Sequence, residues 1–456
     1  MATIALVEPR APQFNVYSFA SLPRLGLPSI GTVLRDLGHQ VTVYCQGLRK
    51  LPMAKILKAD LVGISTTTST APEAYRLADL CRSRGIPVLI GGVHATFCSE
   101  EASQHADYCL RGEAEETIGD VVAQMLAAPR PYPPEGLTLR LPEKADPASG
   151  VCRVADLDRL PIPDLSLIQG WSAERLTPMM TSRGCPFDCN FCSVTPMFGK
   201  AYRFRSTELV LEELAARQPR SVFFYDDNFA ANPKRTRELL EGMIRLPHPP
   251  HWVAQVRADV AQDRELVALM QASGCVRVFI GYESVSPATL AGYGKRLSIE
   301  QSIESARILR EHNIRIHGMF VLGSDEDEVP TIRDTARFAL RNALDTVQFA
   351  ILTPLPGTKQ FQILDRAKRI FTRDWSLYDG HHTVFEPLQM TAAALQREVG
   401  KAHRRFYSSW RGAKAFAGFR FRDGLVNVYA QAVLRLAEAR DARFRKALAA
   451  RESLAR

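Results

Sequence analysis

Cys185, Cys189 and Cys192 fall within eight residues, at the end of the run Thr-Ser-Arg-Gly-Cys-Pro-Phe-Asp-Cys-Asn-Phe-Cys. Three thiolates spaced C-x3-C-x2-C can hold a [4Fe–4S] cluster and leave one iron without a protein ligand. That open iron is where a substrate or cosubstrate can coordinate. With 9 Cys in 456 residues, random placement gives roughly 0.004 such triplets, so the spacing carries information. A structural zinc site needs four ligands, usually in two pairs. No Cys or His lies within twenty residues on either side of this triplet, which favours the iron–sulfur reading. The other six cysteines (Cys45, Cys81, Cys98, Cys109, Cys152 and Cys275) are scattered through apolar stretches and read as small buried hydrophobes.

Two runs of βα alternation position these residues. Residues 1–127 carry short β-branched segments at Ala2–Val7, Gln40–Tyr44, Asp60–Ser65, Pro87–Ile90 and Asp107–Leu110. Helical patterns such as Pro72–Arg84 separate them, which predicts an open parallel sheet of the doubly wound, Rossmann-like kind. Ligands of such sheets bind beyond the carboxyl ends of the strands. The residues of interest there are Ser65, Thr66 and Thr67, then Gly91, Gly92, Val93 and His94. Residues 128–175 are Pro-rich and read as a linker with a short hairpin. From 176 to 360 the alternation resumes, with strands expected at Thr177–Ser182, Ser221–Tyr225, Trp252–Val256, Val276–Ile280, Ile314–Leu322 and Thr346–Leu352. Six βα units suit a partial (βα)6 barrel, with function at the carboxyl ends of its strands. The triplet follows the first of them. A helical region, 361–456, completes the α/β chain.

C-x3-C-x-(aromatic)-C, with Phe191 in the aromatic slot, resembles the signature of the radical S-adenosylmethionine (SAM) superfamily. The strand ends of the barrel resemble that family's SAM-binding segments. By that resemblance Tyr225, Asp226 and Asp227 lie near the methionine end of SAM, and Glu283 and Ser284 reach its ribose or carboxylate. Gly323 leaves room for the adenine, Gln255 and Pro354 belong to the same set, and Arg257 offers a guanidinium fork to the SAM carboxylate. The order of the two βα regions is similar to cobalamin-dependent radical SAM enzymes. Leu25 and Gly26, the Ser65–Thr67 and Gly91–His94 segments, and Gly112 and Glu113 would then meet cobalamin. The chain lacks the D-x-H-x-x-G motif that supplies a lower cobalt ligand in many cobalamin proteins. After the first strand it has Glu8-Pro9-Arg10-Ala11-Pro12, so base-off cobalamin without a His ligand is expected.

The resemblance implies three cofactors: a [4Fe–4S] cluster, SAM and cobalamin. The implied reaction is methylation of an unactivated carbon of a small-molecule or lipid-like substrate. A 5′-deoxyadenosyl radical removes hydrogen and methylcobalamin delivers the methyl group; no protein residue is singled out as catalytic. The alternatives are cyclisation, ring rearrangement or oxidation with the same cofactors, and more remotely tRNA or protein methylthiolation. The latter needs a second set of three N-terminal cysteines. A non-enzymatic cobalamin or iron–sulfur sensor would need no SAM site. A reductant such as flavodoxin or ferredoxin is implied as electron donor, and nucleic acid is not an expected partner.

Apolar residues make up 46% and charged residues 23% of the chain, the balance of an ordinary globular protein. The N-terminus reads as a first strand, not a signal peptide. No run approaches a membrane span, and the clustered, odd-numbered cysteines fit a reducing cytoplasm. The net charge is +9, much of it in the Arg-rich stretch after His403. Such a basic helical face reads first as a solvated surface, and otherwise as one that meets anionic lipid, by peripheral membrane contact through the C-terminus, nucleic acid or an acidic substrate. Phe406, Tyr407, Trp410 and the Pro354–Gly357 turn are expected to shape the substrate site.

Overall fold

The computed structural model describes residues 1–13, 22–129, 151–172 and 176–454. The chain divides into two compact units. The first comprises Met1–Pro12, Ala20–Phe187 and Ser193–Asp227, and the second Gln13–Phe19, Asp188–Cys192 and Asn228–Arg456.

The first unit is built on five parallel strands: β1 (Thr3–Glu8), β2 (Gln40–Cys45), β3 (Leu61–Ser65), β4 (Val88–Gly91) and β5 (Tyr108–Cys109). Their order is β2-β1-β3-β4-β5, so the chain reverses its direction of winding between β1 and β3. That switch point opens a crevice at the strands' carboxyl ends. Ile4 to Val7 are all buried, as expected of a strand covered on both faces. The Gly26–Asp36 helix packs closely on the sheet through Gly31, where a Cβ would lie 3.3 Å from Leu6 and 3.2 Å from Leu167. The segment 151–172, expected as part of a linker, instead joins this core. Leu165 and Ile168 are buried within it, and single bridges tie Cys152 to Gly112 and Ile168 to Val43. The expected hairpin lies mostly outside the described residues.

The first unit also holds β6 (Thr177–Met179), β7 (Ser182–Arg183), β8 (Arg203–Phe204) and β9 (Ser221–Phe224). β6 pairs with β9 in parallel, and β7 with β8 antiparallel. The single strand expected over Thr177–Ser182 is therefore broken after Met179. Asp226, fully buried, takes the amides of Thr181 and Ser182 at 2.6 and 3.1 Å, which turns the chain there.

The second unit contains β10 (His251–Val256), β11 (Cys275–Glu283), β12 (Arg315–Leu322) and β13 (Thr346–Ile351), paired in parallel in that order. Burial alternates along them. Trp252, Ala254, Val278, Ile280, Phe320, Leu322, Phe349 and Ile351 form a fully buried face. Val253, Gln255, Phe279, Met319, Val321, Gln348 and Ala350 form a half-covered one. A sheet face left part-open and carrying glutamines is suited to holding a ligand.

The C-terminal region is helical at Lys359–Arg366, Ala392–Phe406, Ser409–Ala417, Phe421–Arg440 and Ala442–Leu454, but 367–391 is largely irregular. Turn formers such as Asp374, which caps Ser376, and Gly380 at φ +79 account for the interruption. Phe406 and Tyr407, expected near substrate, are structural. Tyr407 Oη bonds both the N–H and the carbonyl of Val347 at 2.9 Å and clamps its helix to β13. Trp410 is 75% exposed.

Buried His382 stands between Asp379 at 3.0 Å and Asp441 at 3.4 Å, the latter at the junction of the last two helices. Burial opposes its charge, but the bonds to both carboxylates outweigh this and raise it to about 9. Its contribution to stability is therefore complete below about pH 6.5 and lost as pH rises through about 9. Thermal melts across that window should fall more steeply for the native chain than for His382→Gln; parallel curves would contradict the assignment.

Candidate functional site

Beyond the strand ends of the first unit lies a cavity of about 380 Å³. Its walls are mostly apolar: Leu25, Leu27, Ile30, Ile64, Leu89, Leu110, Ile118, Met180, Met197 and Phe198. Glycines line the approaches. At Gly92, φ +97, an added Cβ would sit 2.5 Å from the Thr66 carbonyl. At Gly112, φ +88, it would sit 2.2 Å from the Cys152 carbonyl. Both positions demand glycine, and Gly112→Ala should cost about 2 kcal/mol or more through strain alone. A melting temperature unchanged from the native chain would refute that.

Of the residues expected to meet cobalamin, Leu25, Gly26, Ser65, Gly91, Gly92, Gly112 and Glu113 line this cavity. Thr66, Thr67, Val93 and His94 do not. Thr66 Oγ1 is spent on the Gly91 carbonyl at 2.8 Å and the Ala95 amide at 3.1 Å, and Thr67 forms a capping box with Thr70. Val93 starts the short helix that follows β4. His94 is buried beside Tyr75 and 3.6 Å from the Glu101 carboxylate. Burial lowers its basicity. No His is among the lining residues.

The polar edge of the cavity was legible in sequence only in part: Glu113 is expected at cobalamin, Tyr225 and Asp227 are expected at the methionine end of SAM yet line this cavity, and Glu115, Ser182 and Arg183 carry no local signal. Arg183 on β7 is buried and reaches both Glu113 and Glu115, the second at 2.6 Å. Arg203 on β8 holds the other oxygen of Glu113 at 2.7 Å. Burial pushes the Glu115 carboxyl up, but Arg183 more than offsets this and holds it below the usual range. Arg24, paired with Glu8 at 3.1 Å, and Tyr225, which donates to the Leu22 carbonyl at 3.1 Å, also line the space. Asp227 does too; burial, then the charge of Asp226, raises it to about 7. Ser182 Oγ is buried with no hydrogen-bond partner among the described residues. Apolar walls, close backbone approach and a spare hydroxyl fit a broad, flat macrocycle rimmed with amides.

Gly184, at φ +87, starts the cysteine loop; a Cβ there would meet the Ala201 carbonyl at 2.5 Å. The three thiols are in no disulfide and are half-buried. By chain contacts Cys185 goes with the first unit, and Cys189 and Cys192 with the second. Within the second unit the loop is well tied. Asp188 pairs with Lys359 at 2.8 Å, Asn190 donates to the Gly292 carbonyl at 2.7 Å, and the Asn190 carbonyl accepts from Gln360 at 2.9 Å. Phe191 meets Tyr293 edge-on at 4.8 Å. Burial raises the Cys189 thiol, with Lys295 and Arg257 pulling the other way. The described residues contain no group of three or more His, Cys, Asp or Glu placed around one metal ion. Thiolates on a four-iron cluster each take a different iron, so they stand wider apart than ligands of a single ion. Asn190 Oδ1 is buried without a hydrogen-bond partner among the described residues, leaving an acceptor inside the loop.

The remaining expected residues of the second unit stand at strand ends. Glu283 has φ +63, unusual for a side-chain-bearing residue, at a register shift against β12. Lys295 holds its carboxylate at 2.6 Å, and Gly281 leaves the space that this pair occupies. Ser284 Oγ accepts from the Ser286 amide. Arg257 is turned to Asp259 at 3.2 Å. Gly323, φ +101, donates to Asp327, and an added Cβ would press on Leu395 at 2.6 Å. Gln255 lies on the half-covered face of β10, and Pro354 is buried after β13. No helix among the described residues is long and apolar enough to cross a membrane.

Comparison with known proteins places these two regions. Residues 179–339 match the Radical SAM superfamily and residues 18–122 the B12 binding domain. The chain is 31% identical over 359 residues to the bacteriochlorophyllide d C-12(1)-methyltransferase of Chlorobaculum tepidum, covering 76% of this chain and 75% of that one. It is 28% identical over 396 residues to the anaerobic magnesium-protoporphyrin IX monomethyl ester cyclase of Cereibacter sphaeroides, covering 80% and 63% respectively. The fold matches that of OxsB, a cobalamin-dependent SAM radical enzyme, at TM-score 0.70 and 16% identity, over 96% of this chain and 72% of that one.

Proposed function

The chain belongs to the radical SAM enzymes that carry a B12-binding domain, and from that premise we propose that it methylates an unactivated carbon of a porphyrin-like, largely apolar small molecule. The observation that carries the proposal is a glycine-edged apolar cavity at the β1/β3 switch point, in the same chain as an open three-cysteine loop. When bound, the [4Fe–4S] cluster, SAM and cobalamin supply an electron, a 5′-deoxyadenosyl radical and a methyl group.

The residues divide the work of holding them. Cys185, Cys189 and Cys192 would hold the cluster as thiolates, three ligands for four irons, which leaves one iron open to SAM. The tight packing of Phe191 on Tyr293 and the Asp188–Lys359 pair fix the loop. Gly91, Gly92 and Gly112 would let a corrin ring approach the backbone, and the leucine, isoleucine and methionine side chains would exclude water from it. With no His among the lining residues, the cavity wall would offer cobalamin apolar side chains and backbone but no imidazole. Asp227, raised to about 7 by burial, can carry a proton near neutral pH and donate where an ordinary aspartate only accepts. Lys295 holds Glu283 at the end of β11, the position the resemblance assigns to SAM. A small flavin or iron–sulfur protein such as flavodoxin or ferredoxin supplies the electron.

The porphyrin-like substrate class rests on the relatives' names. The cyclase relative favours a second reading, with the same cofactors and no methyl transfer. Anaerobic reconstitution with iron, sulfide and hydroxocobalamin, then desalting, tests the binding assignment. One base-off cobalamin and one [4Fe–4S] cluster per chain are expected in the spectrum. A cluster retained without cobalamin would overturn the role given to the cavity.

A further inference from the structure

The Ser409–Ala417 and Phe421–Arg440 helices form a hairpin whose inner side is tightly packed. A Cβ on Gly424 would strike the Phe416 ring at 2.6 Å, and Gly412 faces Asn427 at 3.5 Å. Its outer side is apolar and bare. Phe421, Leu425, Val428 and Leu436 recur at helical spacing along one stripe and are 41–63% exposed. At the tip, Phe419 is 81% exposed and sits at φ +55, a left-handed conformation that is costly for an aromatic residue. Scattered exposed apolar side chains are ordinary, but a continuous stripe capped by two bare phenylalanines is not.

The charge around the stripe says what covers it. Residues 408–440 carry six Lys or Arg and only two acids, Asp423 and Glu438. Both acids are occupied: Asp423 by Arg315 at 3.4 Å, and Glu438 by Arg404. Arg420 and Arg422 flank the phenylalanines at the tip, and Arg435 lies beside Leu436, all exposed. An aromatic and aliphatic stripe edged by arginine, with its acids neutralised, matches a bilayer interface bearing anionic headgroups. We propose that this hairpin docks the enzyme on an anionic lipid surface, with Phe419 and Phe421 entering the headgroup region and Arg420 and Arg422 on its phosphates. The proposal stands independently of the reaction assigned above.

Co-sedimentation of the full chain with phosphatidylcholine vesicles, with and without phosphatidylglycerol, tests it. The native chain should bind the anionic vesicles, bind the neutral ones weakly, and release as salt rises. Arg420→Gln with Arg422→Gln should weaken anionic binding at least about tenfold. Phe419→Ser with Phe421→Ser should weaken it at low salt as well. Thermal melts check folding, and the arginine variant alone decides the matter if the phenylalanine variant unfolds. Three results would overturn the proposal: no binding by the native chain, variants that bind as it does, or a dimer that the phenylalanine changes disperse without any vesicle binding.

Discussion

Replacing Cys189 by alanine should abolish reductive cleavage of SAM and leave the fold in place. The thiol is half-buried in a loop fixed by other side chains, so its loss leaves the loop's contacts standing. On the proposed assignment it removes one of three cluster ligands, and two thiolates should not retain a [4Fe–4S] cluster that must also keep an open iron. Iron content after anaerobic reconstitution should fall, the cluster's visible absorption should vanish, and 5′-deoxyadenosine should drop to background. Cysteine in the same loop outside the triplet spacing should not rescue it. Cobalamin binding, proposed for the first unit's cavity, should survive, and this separates loss of the cluster from loss of the fold. Undiminished 5′-deoxyadenosine from this variant would contradict the ligand assignment.

Arg183→Met should be the most destabilising single change at the cavity. Arg183 is buried and neutralises Glu113 and Glu115 together. Without it, Glu115 is left charged and buried with no other ion-pair partner among the described residues, and Glu113 keeps only Arg203. Breaking a buried ion pair on one side costs about 3–5 kcal/mol, because the partner charge stays desolvated. Removing the acids as well, as in Glu113→Gln with Glu115→Gln and Arg183→Met, should recover part of that loss. Chemical denaturation of the single and triple variants measures both. A single variant within about 1 kcal/mol of the native chain would mean the network is solvated.

What the sequence revealed depended on how local the signal was. The cysteine spacing lies within eight residues, and β1, β3 and β4 show as apolar β-branched runs with glycine or hydroxyl residues at their ends. Such signals survive without knowledge of the fold. The Arg183–Glu113–Glu115 network joins residues some seventy apart, and nothing in a charged residue's neighbours tells which distant charge it will meet. The break after Met179 was hidden for a related reason: Thr181 and Ser182 leave the strand because Asp226, far along the chain, captures their amides. His94 misled in the opposite direction. Its glycine-rich neighbourhood reads as a ligand loop, yet its side chain turns to Tyr75 and Glu101. Segment 151–172 looked like a linker because prolines precede it, whereas Leu165 and Ile168 complete the first core.

The most direct measurement follows the methyl group. Anaerobic holoenzyme with flavodoxin, reductant and methyl-deuterated SAM is incubated with porphyrin-like candidate substrates, and products are read by mass spectrometry. 5′-Deoxyadenosine is expected together with a product carrying the intact labelled methyl. 5′-Deoxyadenosine formed with a modified but unlabelled product would contradict methyl transfer and establish the cyclase-like alternative instead.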